Sequence, residues 1–197
     1  MQLVELQLTR DLKNLSKVAA RNTTGIGTAL AEIVAQHGWT LLGRGSEAAV
    51  AENPHKSYVL KIYPTRSLYR HFVKLALQNQ NNPHFPKFSR RQRVVPGTVF
   101  SYVRMEKLIR VTSFDLKIDM PESFCVAKKL YSTIGGTLPD WIKNDSSQID
   151  CSIISPQAAQ VVSGMTAQLK KIGPNLDLQP HNFMRRGAVW VITDPYY

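Results

Sequence analysis

Apolar positions along this chain change their spacing several times, and each change marks an element. Residues 3–20 and 24–37 read as helices, and Gly38 suits the cap after the second. Stretches rich in β-favouring side chains follow and predict strands at 39–43, 47–52 and 57–63. A helical spacing returns over 66–80, with Leu68, Phe72, Leu75 and Ala76 on the inward side, and Asn81, Asn82 and Pro83 end it. Two more strands are expected at 88–95 and 99–104, turning at Pro96-Gly97. Residues 121–134 predict a helix with Pro121 in its first turn and Gly135-Gly136 after it. The clearest helix starts at Ser155-Pro156. Its apolar residues Ala158, Val161, Val162, Met165, Leu169 and Ile172 recur every three or four positions, and Gly173-Pro174 stops it. The last element is a hairpin, 183–185 against 189–193, turning through Arg186-Gly187-Ala188. No internal repeat, low-complexity tract or linker interrupts the pattern.

A chain of 197 residues is long enough for one compact domain with a core of its own. The longest apolar runs, such as 189–192, fall far short of a membrane span. The opening MQLVELQLTRDLKNL lacks the basic start and apolar block of a secretory signal. Two cysteines, Cys125 and Cys151, are too few for a metal site or a disulfide framework. They are expected as reduced, half-buried thiols, and a cytoplasmic setting follows from that expectation.

The net charge of +11 is unevenly placed. Residues 53–105 hold no Asp or Glu but ten cations, while the other fifteen Lys and Arg nearly balance all fourteen acids. Such a field attracts nucleotide phosphates, nucleic acid or an acidic protein surface, and a plain solvated face is the simplest alternative.

Chemistry-bearing residues gather at two places. In "LDLQPHNFMRRGAVWVITDPYY", Asn182 precedes the first hairpin strand and Asp194 follows the second, so a tight hairpin brings them together. Asp177 lies one short loop upstream. An Asn carbonyl and an Asp carboxylate are hard oxygen donors suited to magnesium held partly by phosphates. A second Asp, kept off the metal, can take a proton from a hydroxyl nucleophile. Taken singly, each is the kind of residue that forms turns and caps. In "LLGRGSEAAVAE", Gly43, Gly45 and Val50 fall at strand–turn–strand spacing, and glycines let a turn approach phosphates with its N–H groups. An ordinary glycine turn reads the same way. "SYVLKIY" then sets Lys61 in an apolar strand, where a lysine either snorkels to solvent or reaches back to what the turn covers.

The order Gly-x-Gly-x-x-Ala-x-Val, V-L-K, helix, D-L-Q-P-H-N, I-T-D resembles the protein-kinase-like fold over about residues 39–197. "DLQPHNFM" followed by a short hairpin and "ITDP" is most similar to the small early serine/threonine kinases of short-tailed bacteriophages. The resemblance implies an α+β chain with a reduced two-lobe fold: an antiparallel-sheet N-lobe and a truncated, mainly helical C-lobe. Residues 1–38 would be a helical extension, 39–106 the N-lobe and 107–197 a minimal C-lobe, all in one kinase-like domain. It implies ATP and Mg2+ as cofactors, Gly43 and Gly45 in the nucleotide loop, and Val50 on the adenine. Lys61 would hold the α- and β-phosphates. Backbone groups of Glu106 and Leu108 would form the hinge beside the base. Asp177 would be the catalytic base, and Asn182 and Asp194 the magnesium ligands. The implied partners are host proteins phosphorylated in the host cytoplasm.

The sequence departs from that pattern in places. Asn175-Leu176 stands where His-Arg usually precedes the base, Ala48 replaces the third glycine, and Gln179 replaces a lysine. The helix expected after Lys61 carries no acid to pair with it, so an acid elsewhere is expected there, from among Glu5, Asp11, Glu32, Glu47 and Asp194. No activation loop or A-P-E motif follows Asp194. Three other readings therefore stay open beside the active protein kinase. One is a pseudokinase that binds a host protein, another a small-molecule phosphotransferase of the aminoglycoside-kinase type. The last is a nucleic-acid binder using the basic block, in which few aromatics (Tyr69, Phe72, Phe85, Phe88) are interleaved for base stacking.

Overall fold

The computed structural model describes residues 2–19, 25–89, 92–143, 149–173 and 175–196, with the backbone alone for 2–7, 18–19 and 113–115. The chain is mixed α+β with antiparallel sheets and divides into two compact units. The first joins 1–70 to 88–107, and the second joins 71–87 to 108–197.

In the first unit, helices α1 (Gln2–Ala19) and α2 (Ile26–Gln36) precede strands β1 (Thr40–Arg44), β2 (Ala49–Glu52) and β3 (Tyr58–Pro64). Helix α3 (Tyr69–Gln78) starts in this unit and continues from His71 in the second; β4 (Arg93–Val94) and β5 (Phe100–Glu106) belong to the first. These strands form one antiparallel sheet in the order β1-β2-β3-β5-β4. Successive strand side chains face opposite ways, so the register sorts residues by face. Ala51, Leu60 and Arg104 stand opposite one another across three strands, as do Ala49, Ile62 and Tyr102. Leu12 of α1 and Ile26, Leu30 and Val34 of α2 pack in one cluster with Ala49, Ala51, Leu60 and Ile62. Burying each large aliphatic side chain there contributes roughly 1.5–3 kcal/mol. Val50, Lys61 and Val103 form the row on the other face. The N-terminal helices are tied down at their polar ends as well: His37 Nε2 lies 2.8 Å from Asp11 Oδ2, and Val99 N–H donates to Ser16 Oγ at 3.1 Å.

The strand expected at 88–95 is broken up. Phe88 bridges Met105, and regular pairing resumes only at Arg93 opposite Tyr102. The chain takes five steps on one side against three on the other, so two extra residues interrupt the ladder, as in a bulge. Arg90 and Arg91 fall at that interruption and lie outside the described residues, as do Ala20, Thr24 and Pro174 of the expected helix boundaries.

The second unit holds β6 (Ile109–Arg110), α4 (Ser113–Ile118), α5 (Pro121–Ile134), α6 (Asp140–Lys143) and α7 (Pro156–Ile172). A single 3-10 turn, Pro180–Asn182, runs into β7 (Phe183–Arg186) and β8 (Val189–Ile192), and the sheet order is β6-β7-β8. Ser155 caps α7 by accepting from Ala158 N–H at 3.1 Å, which satisfies one of the orphan donors of the first turn. Ala158, Val161, Met165 and Leu169 are buried along one stripe of that helix, as its spacing predicts. Gly187, at φ 60°, makes the two-residue hairpin turn in the left-handed region that a side chain would strain. The two-residue strand β6 and the short helices α4 and α6 were not expected, since so few residues show no period.

The cysteines correct the sequence reading. Cys125, buried in α5, and Cys151, ahead of α7, are joined in a disulfide with Cα atoms 5.1 Å apart. They are not reduced thiols, so the cysteines no longer argue for a cytoplasmic setting. Among the described residues, no helix is long and apolar enough to cross a membrane. Closing a loop of this separation, 26 residues, constrains the unfolded chain by roughly 3 kcal/mol. The half-buried Cys151→Ser variant is expected to lose about that much stability in urea unfolding. The wild-type chain should lose the same amount on adding dithiothreitol, and the variant nothing further.

Candidate functional site

In the second unit the loop from Asp177 to Asn182 is stitched to the segment after β8. Asp177 N–H donates to Pro195 O at 2.8 Å, and Leu176 bridges Tyr196. At the loop's other end, Thr193 donates to Asn182 O twice, from its N–H at 2.8 Å and from its Oγ1 at 3.1 Å. The register of the hairpin produces this, because Phe183 pairs with Ile192 and leaves Asn182 opposite Thr193. Asp194 is therefore the single residue between two tie points, one reaching to Asn182 and the other to Asp177. Asn182 Nδ2 also donates across the loop to Asp177 O at 2.7 Å. The backbone thus brings Asp177, Asn182 and Asp194 into one neighbourhood.

Three side chains hold this loop or the segment tied to it, and the sequence reading singled out neither Tyr131 nor Trp141. Tyr131 of α5 straddles Asp177: its hydroxyl donates to Leu176 O at 3.4 Å and accepts from Leu178 N–H at 3.2 Å. Trp141 of α6 donates from Nε1 to Leu178 O at 3.0 Å and sets its ring edge-on to Phe183, with centroids 6.3 Å apart. Tyr196 donates to Gln168 Oε1 of α7 at 3.1 Å. Such buried backbone groups have to find partners. A tyrosine at the end of a buried helical stripe was the only signal in the sequence, and it is a weak one. Tyr131, Leu138, Trp141, Asp177 and Gln179 line a pocket of about 630 Å³ that opens beside Asp177.

The first unit carries the other residues. Gly43 sits in β1 opposite Val50, just after a bulge at Leu42. Gly45 opens the β1–β2 turn, which closes with Gly45 N–H donating to Ala48 O at 2.9 Å. Lys61 lies mid-strand on the same face as Val50, with 4% of its surface exposed. It does not snorkel. Its Nζ stands 3.6 Å from the centre of the Tyr69 ring at the start of α3. A desolvated cation over an aromatic face gains about 2 kcal/mol, which offsets part of the cost of burying the ammonium. Among the acids considered for Lys61, Asp11 is engaged by His37 and Glu47 lies 3.7 Å from Arg66. Glu32 is exposed, and the side chain of Glu5 lies outside the described residues. Glu106 closes β5, half-buried, in the first unit, and Leu108 follows, half-buried, in the second.

Beneath the hairpin lies a titratable cluster. His84 stacks on Trp190 with centroids 3.8 Å apart, and its Nδ1 is 3.0 Å from Trp190 O. Glu122 Oε2 accepts from Trp190 Nε1 at 3.0 Å and lies 3.7 Å from His84 Nε2, while its Oε1 accepts from Ser155 N–H at 2.6 Å. Burial holds the His84 pKa below its usual value, and the nearby Arg186 adds to this against the opposing pull of Trp190 O and Glu122. Burial pushes the Glu122 carboxyl upward, but the hydrogen bonds from Ser155 and Trp190, helped by His84, outweigh it and leave the carboxyl below its usual value. The cluster pins α5, α7 and β8 together.

Comparison with known proteins gives no match, either to a family model or among curated sequences.

Both shifts predict acid sensitivity. Above pH 6.5, the usual histidine value, His84 is neutral in the folded and the unfolded chain alike. As pH falls below that, the unfolded chain takes up a proton that the folded chain resists, so stability declines. Glu122 adds a further decline below its usual 4.5. Urea unfolding from pH 8 to 4 should show this fall, at most about 1.4 kcal/mol per pH unit for each proton. His84→Gln should flatten the portion between about pH 6.5 and 5. A wild-type stability that rises on acidification would contradict the assignment.

Proposed function

We propose that this chain is an ATP-dependent phosphotransferase, a serine/threonine protein kinase built on a reduced, two-lobe protein-kinase-like fold. The observation that carries the reading is the pair of backbone ties that gather Asp177, Asn182 and Asp194. Independent turn formers have no reason to be stitched together from both ends of one loop. A second support is the sheet order β1-β2-β3-β5-β4 with its helix between β3 and β4, and with Val50 and Lys61 on one face behind a glycine turn.

The donor set suits magnesium. Asn182 spends its Nδ2 on Asp177 O, so the group it would offer a cation is its amide oxygen. With Asp194 it offers two hard oxygen ligands. No group of three His, Cys, Asp or Glu side chains forms a protein cage among the described residues, so the remaining ligands would be phosphates and water. Bound there with ATP, magnesium would supply positive charge against the negative charge that develops in transfer.

The work then divides between the units. In the first, the β1–β2 turn that Gly45 opens after Gly43 and the Lys61 ammonium hold the phosphates, Val50 covers the adenine, and Glu106 presents hinge backbone, as does Leu108 of the second. In the second, the Asp177 carboxylate orients an acceptor hydroxyl and takes its proton as the oxygen attacks the terminal phosphorus and ADP leaves. Tyr131 holds the backbone on both sides of Asp177, so the main chain that carries the carboxylate is in place before the acceptor arrives. The pocket beside Asp177 admits that acceptor. The resemblance to phage kinases gives host proteins, in the host cytoplasm, as the acceptors.

One observation favours a second reading. Lys61 lies against Tyr69, and α3 carries no Asp or Glu where the kinase pattern has a Glu on this helix. A pseudokinase that binds nucleotide and captures a host protein is compatible with that arrangement.

Isothermal titration with Mg-ATP and labelling of host-lysate proteins from labelled ATP separate these readings. The kinase reading expects Asp177→Asn to bind ATP as the wild type does and to lose transfer by about a hundredfold or more. Asp194→Asn is expected to lose magnesium-dependent ATP binding together with rate. Wild-type binding without any transfer, to itself or to lysate proteins, selects the pseudokinase. Variants that shift only the melting temperature and leave transfer intact remove the assignment of these residues.

A further inference from the structure

The β1–β2 turn is not free-standing. Helix α2 begins at Gly25, which adopts the left-handed φ of 80°, and its second residue, Gly27, donates its N–H to Ser46 O at 3.0 Å. The first N–H groups of a helix have no partner within it, and here one is spent on the tip of the glycine turn. The approach is as close as backbone permits. A Cβ on Gly27 would overlap the Gly45 carbonyl oxygen, while standing 3.0 Å from Gly45 C and 3.2 Å from Ala48 O. All three are main-chain atoms of the turn, so nothing there can swing aside. Next to Gly27, Thr28 Oγ1 accepts from Arg44 Nη1 at 2.7 Å, which ties the strand entering the turn to the same helix end. Behind this contact α2 is anchored by Ile26, Leu30 and Val34 in the core that includes Ala49 and Ala51, at the far side of the turn.

Two carbonyls of the turn are thereby committed. Ser46 O accepts from Gly27, and Ala48 O accepts from Gly45. A glycine-rich turn that binds phosphate has to present N–H groups and keep its carbonyl oxygens from the anion. Left alone, glycines sample many conformations, and ordering them on binding costs affinity. A helix end that holds the Ser46 carbonyl, beside a turn that closes on its own Ala48 O, removes part of that cost in advance.

We propose that α2 is the positioning element of the nucleotide turn, with Gly27 as its contact residue and the Thr28–Arg44 pair as its second tie. The inference rests on the phosphotransferase reading, in which this turn covers the phosphates of ATP. Gly27 touches no substrate: it acts through Ser46 and Gly45. The residues N-terminal to the sheet therefore set the affinity for ATP, and any ligand that pries α2 from the turn would lower it.

The test uses the full chain and Mg-ATP. Gly27→Ala is expected to raise the Kd for ATP about tenfold. Hydrogen exchange at the amides of Gly45 to Ala48 should quicken in the same variant, while exchange in α5 and α7 stays as in the wild type. Where transfer is measured, KM for ATP should rise with kcat at saturating ATP retained, a split that general loss of folded protein would not give. Thr28→Val, at an exposed hydrogen bond, keeps the fold and should raise Kd about threefold; it carries the test if Gly27→Ala does not fold. A folded Gly27→Ala variant, or a Thr28→Val variant, with wild-type Kd and wild-type exchange in the turn overturns the inference. A wild-type chain that does not bind ATP overturns the functional reading instead. Quickened exchange in Gly27→Ala would then still establish the clamp as structural, with no role in nucleotide affinity.

Discussion

A buried backbone N–H or C=O must find a partner, and in the second unit that requirement joins the Asp177–Asn182 loop to the strand end that follows β8. Asp177 N–H goes to Pro195 O, and Asn182 O takes both donors of Thr193. The rest of the site follows from those bonds. They fix the spacing of the loop's two ends and leave Asp194 between them. The elements beneath then serve the same loop: Tyr131 from α5 holds it by two polar contacts, and Trp141 from α6 and Gln168 from α7 hold it, or the segment tied to it, by one each. The disulfide between Cys125 and Cys151 bounds the stretch that carries Tyr131 and Trp141, so covalent and hydrogen-bonded constraints act on the same stretch of backbone.

The first unit works by a sheet with two differently employed faces. One face is covered by α1 and α2 and is aliphatic. The other carries Val50, Lys61 and Val103 in one row. A lysine with 4% exposure is costly to maintain, and a fold that sought only stability would place an aliphatic residue there. The Tyr69 ring beneath its ammonium is the compensation visible within this unit. That contact fixes where the ammonium sits over the start of α3.

Much of this was legible in the chain. The helix at 156–172 shows its stripe and both of its stops, and the terminal hairpin shows strand, glycine turn and strand, so their positions followed from period and punctuation. Because the hairpin register was readable, the approach of Asn182 to Asp194 was readable too. The link from Asp177 to Pro195 was not, since it depends on a backbone bond between segments of no regular period. The two-residue strand β6 lacked enough residues to show alternation, and β4 is the paired remainder of the longer strand expected at 88–95. The disulfide was missed because pairing depends on distance in the fold, and two cysteines apart in sequence carry no sign of it. Tyr69 was counted among aromatics available for stacking on bases; only its place at the head of α3 gives it Lys61 as a partner. Gly27 read as an unremarked helix residue until the turn it touches was built.

The central claim is that the neighbourhood of Asp177, Asn182 and Asp194 receives magnesium and the phosphates of ATP. Chemical-shift mapping of the 15N-labelled chain during titration with ATP and magnesium tests it directly, at a mass of 22.2 kDa that the method handles. The account predicts that the Asn182 side-chain amide and the backbone amides of Asp177, Thr193 and Asp194 move together, along with those of the Gly43–Gly45 turn, and that withholding magnesium spares the first group more than the second. Shifts confined to the exposed basic residues of 53–105, with the Asp177–Asn182 loop and Asp194 unmoved, would contradict it.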